Sequence, residues 1–426
     1  MFKFKPLMAV ATAALLAGSA CAQNDTATDQ GADGEKTISF LAFGDSGYHY
    51  GYQKKSLWEE PFRTLDEFEA DYRKDWAEDQ KTPSEFHMPS LYFHPEMGGY
   101  IMRSGQQPVA DAMLAYCKVK ACEFGMMLGD NIYPDGATMG TDGISDEKRF
   151  EDIFTIPYKG LGAEYPDFRI YTALGNHDWH TSREGAMAQV DYMEKSDQFY
   201  MDGIFYSVKP PSAGGDVEIF VIDTEVMLSG LGYPEAMLNP DGSEKKDTGP
   251  DDVDEWAKPA NDAERNMAAW LENELKNSTA KWKFVIGHHP LWSTGGSKFE
   301  QGRALRKVLL PMLCDYADAY FAGHEHSLEV HTDTCETTPN GRTETPLLHV
   351  LSGAAAKERS THSKFAAFQA KAYPQQTAHF IRGMIWGFSH IELKGDEGML
   401  RMISTPTDSS GTPYVEFEMP FKHRSN

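Results

Sequence analysis

Short apolar runs recur along this chain of 426 residues, and five of them end in a glycine followed by a polar residue. They are ISFLAFGD (38–45), EFGMMLGD (123–130), RIYTALGNHD (169–178), KFVIGHHP (283–290) and AYFAGHEH (319–326). EIFVIDT (218–224) and PLLHVLSG (346–353) have the same apolar, β-branched character and predict further strands. Between them the apolar period lengthens to that of helices. NDAERNMAAWLENELK (261–276) predicts a helix capped by Asn261 or Asp262, with Met267, Trp270, Leu271 and Leu275 on one face. GRALRKVLLPMLCDYA (302–317) predicts another, kinked or interrupted at Pro311. Strands alternating with helices imply an α/β architecture with mostly buried strands. Three stretches fall outside that alternation, near 48–105, 227–260 and 354–385. Connections this long in a compact domain are binding elements or lids as often as they are surface decoration.

The composition adds compartment and partners. Forty basic residues against sixty-four acidic ones leave a formal net charge of −24, which disfavours nucleic acid and anionic lipid as partners. At the start of the chain Lys3 and Lys5 precede an apolar stretch at 7–17 that ends in small residues, the pattern of a secretory signal peptide. Ala20-Cys21-Ala22 offers a cleavage site, giving a signal at 1–22 and a polar, acidic leader at 23–37. The expectation is therefore a periplasmic or secreted protein. Lipidation of Cys21 is the lesser alternative and the only route to a membrane. Export places Cys117, Cys122, Cys314 and Cys335 in an oxidising compartment, and proximity in the sequence favours Cys117–Cys122 and Cys314–Cys335.

The chemistry gathers where the strands end. In open α/β sheets, ligands bind beyond the carboxyl ends of strands, so the five turns can converge on one site. The donors they carry are Asp45, Asp130, Tyr133, Asn176, His177, His288, His289, His324 and His326. Carboxylate, amide, phenolate and imidazole without thiolate suit Fe, Mn or Zn, and so many donors exceed the needs of one ion. Two ions sharing a carboxylate activate a water and clamp the oxygens of an in-line displacement at phosphorus. Such a centre stays locally positive, so a phosphate is attracted despite the acidic surface.

Here the blocks carry a family resemblance. GDSG (44–47), GDNIY (129–133), GNHD (175–178), VIGH (285–288) and GHEH (323–326) resemble the ordered signature of metallophosphoesterases. GDSG, with Tyr133 three residues after Asp130, is similar to the purple acid phosphatase branch. FEDIF (150–154), GHHPLWS (287–293), VLSGAAAK (350–357) and GFSHIEL (387–393) resemble its small, tartrate-resistant type. The resemblance spans residues 38–422 and implies a four-layer α/β/β/α sandwich of two mixed sheets. It implies Asp45, Tyr133 and His326 on Fe(III), with Asn176, His288 and His324 on a divalent ion (Fe, Zn or Mn) and Asp130 bridging. His289 is then left for packing or support of a ligand. The reaction implied is hydrolysis of a small phosphate monoester by a metal-bound hydroxide, with His177 binding phosphate and protonating the leaving oxygen. A phosphodiesterase or nucleotidase on the same scaffold is the alternative, and a non-catalytic phosphate binder a weaker one. The resembled phosphatases place a phosphate-contacting histidine where this chain has Ser297.

Overall fold

The computed structural model describes residues 36–53, 63–231, 237–245, 253–296, 298–339, 345–408 and 410–424. The expected signal at 1–22, all but the last two residues of the leader, and Ser297 lie outside them.

Among the described residues, two seven-stranded mixed sheets carry the fold. In the first, Thr37–Phe43, Phe124–Leu128, Ile170–Ala173 and Phe199–Tyr200 run parallel, and Trp386–Lys394, Glu397–Thr405 and Tyr414–Lys422 extend the sheet antiparallel. In the second, Val217–Val221, Trp282–Ile286, Ala319–Ala322 and Leu347–Ser352 run parallel between antiparallel outer strands. Phe124–Leu128, Trp282–Ile286, Ala319–Ala322 and Leu347–Ser352 are buried throughout, which is why they read as continuous apolar runs rather than as alternation. The sheets pack face to face. Phe40 stacks on Phe124 within its own sheet at 4.6 Å and meets Phe284 and Phe321 of the other at 5.4 and 6.3 Å. Fully burying each such ring stabilises the fold by roughly 1.5–3 kcal/mol. The helix Gln106–Cys117 packs on the first sheet, and the expected sandwich is what forms.

Both cysteine pairs are bonded as proximity suggested, Cys117–Cys122 and Cys314–Cys335, with Cα atoms 5.4 and 5.7 Å apart. Helix details differ from expectation. Asn261 caps Asp262–Arg265 through its side chain, but the helix breaks at Asn266 and resumes as Met267–Asn277. Pro311 neither breaks nor ends Phe299–Tyr316. Pro311 is half-buried and Lys307, four residues earlier on the same face, is exposed, so the proline ring sits toward the outer side of the helix, where the chain has room for it.

The three extra stretches are not plain loops. The second begins as the helix Thr224–Leu231, and the third holds the helix Ser363–Ala372 and the strand Gln376–Arg382, which joins the second sheet as its edge. They are also bonded to one another. His362 Nε2–H donates to the Asp79 carbonyl at 2.8 Å, Lys364 Nζ to the Gln80 carbonyl at 2.7 Å, and the Gly105 amide to the Ala356 carbonyl at 2.8 Å. The Ser90 amide donates to the Glu358 carboxylate, and Gln80 Nε2 to Asn239 Oδ1 at 3.0 Å. These contacts join the described parts of the stretches into one cap. Tyr48 at its root packs on Tyr133, ring centroids 6.3 Å apart.

Candidate metal centre

The loops after Thr37–Phe43, Phe124–Leu128, Ile170–Ala173, Trp282–Ile286 and Ala319–Ala322 meet where the two sheets face each other. Asp45, Asp130 and His324 each adopt a left-handed backbone, with φ of 57°, 51° and 71°. Three non-glycine residues in that region at one place mark strain held by its surroundings. Glycine permits the convergence: a Cβ on Gly323 would lie 2.5 Å from Asp45 Oδ2.

Two groups of donors result, each with its ligand atoms within 4.8 Å of one another: Asp45, Asp130 and His326, and Asp130, His288 and His324. Asp130 belongs to both. Around the first, Tyr133 Oη lies 2.7 Å from Asp130 Oδ2, 3.0 Å from Asp45 Oδ1 and 3.2 Å from His326 Nε2. Around the second, His288 Nε2 lies 3.1 Å from Asn176 Oδ1, 3.2 Å from Asp130 Oδ1 and 3.1 Å from His324 Nδ1. All seven expected ligands are therefore together and buried. His289, by contrast, turns to Thr224 Oγ1 at 2.7 Å and Glu225 at 3.4 Å, so it packs behind the ligand set.

The donor set fits metal ions better than protons. His288 Nδ1–H donates to the Leu128 carbonyl at 2.9 Å, and His324 Nε2–H to Gln301 Oε1 at 2.9 Å. That leaves His288 Nε2 facing the Asp130 carboxylate and the Asn176 amide oxygen, and His324 Nδ1 facing His288 Nε2, two ring nitrogens turned to one point where an ion would take both as ligands. One phenol proton likewise cannot serve three acceptors around Tyr133 Oη. Electrostatics agree. Burial pushes Asp45 up to about 8 and drives His324 and His326 well below their ordinary value. Burial also opposes charge on His288, but Asp130 and Asp45 outweigh it and raise the ring to about 10. Positive charge between these groups relieves the conflict.

His177 stands apart from the ligands. Its amide donates to Asp130 Oδ1 at 3.0 Å, and its Nδ1–H donates to the Pro134 carbonyl at 2.5 Å. Its Nε2 is 3.9 Å from Asp130 Oδ2, and its side chain is 26% exposed where Asp130 is 2% exposed. Burial pushes the ring down to about 3 despite Asp130.

Several residues beside the donors escaped sequence reasoning. Asp178 accepts the amides of Asn131 and Ile132 at 3.1 Å and of Gly175 at 2.8 Å, clamping two ligand loops together. Its place in the GNHD block was the available signal. Gln301, on the helix Phe299–Tyr316, had none. Lys357 Nζ sits 4.4 Å from the Tyr133 ring centroid, and burial pushes it down to about 8. Among the described residues no helix is long and apolar enough to cross a membrane.

The family model of calcineurin-like phosphoesterases matches residues 86–328, more than half of the chain, beginning after the Asp45 block. Purple acid phosphatase 7 of Arabidopsis thaliana is 30% identical over 211 residues, 49% of this chain and 55% of that protein. Purple acid phosphatase 3 of the same plant is 30% identical over 213 residues, 49% of each. The chain thus spans about half the length of the curated relatives it matches. Among solved structures, GAP50, the anchor in the inner membrane complex of Plasmodium, superposes with a TM-score of 0.54 at 15% identity, over 91% of this chain and 90% of that one. Purple acid phosphatase PPD1 from yellow lupin seeds superposes with 0.50 at 14% identity, over 91% and 54%. At these identities the likeness is one of fold.

Proposed function

The chain belongs to the calcineurin-like phosphoesterase family, and we propose that it is an exported binuclear-metal phosphatase acting on small phosphate monoesters. The observation that carries this reading is Asp130, the one carboxylate common to both donor groups. Asp45, Tyr133 and His326 would hold one ion, proposed as Fe(III), and Asn176, His288 and His324 a divalent one (Fe, Zn or Mn). When bound, the pair lowers the pKa of water and offsets charge on the phosphoryl oxygens.

The chain's own residues supply the rest. His288 and His324 are held in the metal-accepting tautomer by the Leu128 carbonyl and Gln301. His177, with Nδ1–H committed to Pro134, presents Nε2 to the ester; the charge of a bound phosphate would raise the ring from its low value, so that Nε2 takes up the proton that the leaving oxygen needs. The depth of the centre keeps bulk water from the ligands, which are almost entirely buried. The N-terminal signal pattern supports export, and so do two disulfides, which persist in oxidising compartments.

The cap supports a second reading. Its three bonded stretches could hold the far group of a diester or nucleotide. Turnover of an aryl phosphate monoester and its diester, side by side on metal-replete protein, separates the two. Monoester preference is expected, and diester preference would move the function to phosphodiesterase.

A further inference from the structure

We propose that Lys357 is a phosphate-binding residue of this centre, donating from Nζ to a non-bridging oxygen of the ester. This rests on the phosphoester reading of the site and adds a group outside the ligand set.

Its position comes first. The Tyr133 ring walls the donor group of Asp45, Asp130 and His326, and Lys357 Nζ lies 4.4 Å from that ring's centroid and 5.4 Å from that of Tyr48. The loop that carries it is tied down on both sides. The Ala355 amide donates to the Gly44 carbonyl at 3.2 Å, and the Ala356 carbonyl accepts the Gly105 amide. Beyond it, Glu358 accepts the Ser90 amide, and the Arg359 amide donates to the His326 carbonyl at 2.9 Å. A lysine usually loses much side-chain freedom on binding an anion; a pinned backbone and two flanking rings have removed part of that cost beforehand.

Its lack of a partner comes second. The chain has 64 acidic residues, yet among the described residues Lys357 forms no ion pair. The carboxylates that act on it, Asp130 and Asp45, belong to the donor groups and make no ion pair with it, and Glu358, next in the chain, is engaged with Ser90. A half-buried ammonium without a carboxylate, at the edge of a centre that takes an anion, is satisfied by that anion. A purely structural lysine would serve only as a cap on the two tyrosine rings, and the two roles are separable by experiment.

The test compares wild type, Lys357→Met and Lys357→Arg, all metal-replete, for competitive inhibition by inorganic phosphate and for KM and kcat on an aryl monoester. Lys357→Met should weaken phosphate binding and raise KM roughly tenfold to a hundredfold, with both metals retained and kcat much less affected. Lys357→Arg should recover most of the loss. Wild-type phosphate affinity in Lys357→Met overturns the assignment and leaves the phosphatase reading intact. Loss of metal from Lys357→Met, with Lys357→Arg no better, also overturns it by marking the lysine as structural. Metal-replete wild type that neither binds phosphate nor turns over the ester overturns the reading of the site itself.

Discussion

Asp130 meets three demands through two oxygens: it accepts the His177 amide, faces His288 Nε2 at 3.2 Å and faces Tyr133 Oη at 2.7 Å. Asp130→Asn keeps the shape and removes the charge shared by both donor groups. Turnover should be lost, and near-normal monoester hydrolysis by this variant would end the bridging assignment. Gln301→Leu removes the acceptor that fixes His324, so the second ion should bind about ten to a hundred times more weakly, measurable by metal titration. Tyr133→Phe should erase the broad visible absorption expected of iron-loaded protein. A colourless, active, iron-free wild type would refute the iron assignment. The donors at this scale were legible because each stands in a short block at a strand end. Asp178 and Gln301 were not, since an amide-binding carboxylate and a supporting carboxamide leave no spacing to read. His288 and His289 are adjacent and identical, and only the tertiary contacts of His289 with Thr224 and Glu225 separate them.

At the scale of elements, the strand-end loops fit because their glycines lack side chains. Gly323→Ala would press on Asp45 Oδ2, and metal affinity should fall before secondary structure does, as titration alongside circular dichroism would show. The Cys314–Cys335 bridge ties the end of Phe299–Tyr316 to the chain just past Leu328–Asp333, across a separation of 21 residues. Replacing both cysteines with alanine should cost about 3 kcal/mol in urea unfolding. The strands were readable from composition because burial on both faces demands continuous apolar runs. The edge strand Gln376–Arg382 was not: it is mostly exposed, and its polar sequence resembles a loop until the neighbouring strand pairs with it. The break at Asn266 was equally hidden, because the apolar face of Met267, Leu271 and Leu275 continues past it. Trp270 is only half-buried, meeting Phe205 at 4.9 Å.

For the whole molecule, the buried centre couples stability to metal and to pH. In metal-free protein, Asp45 is raised from 3.8 to about 8 and His288 from 6.5 to about 10. An acid raised on folding opposes the folded state increasingly as pH climbs from its unfolded value to its folded one. A base raised on folding contributes stability that is lost over its own interval. His324 and His326, lowered on folding, cost stability only below about 6.5. Chelated protein should therefore lose melting temperature between pH 6.5 and 8, while the metal-loaded form does not, so the gap between them widens. A constant gap across that interval would mean that the centre carries no such strain. The two-sheet sandwich was legible from strand order and blocks, but the cap was not, because its bonds join residues such as Gln80 and Asn239 that share no pattern. Those bonds also change what a cut in the chain would do. Phe93 is half exposed on the hairpin Leu91–His94 and Gly99–Met102, and a protease nicking the turn between these strands would leave both ends tethered by strand pairing and by the Ser90–Glu358 and Gly105–Ala356 contacts. Two bands on a denaturing gel would then correspond to one undivided, working particle.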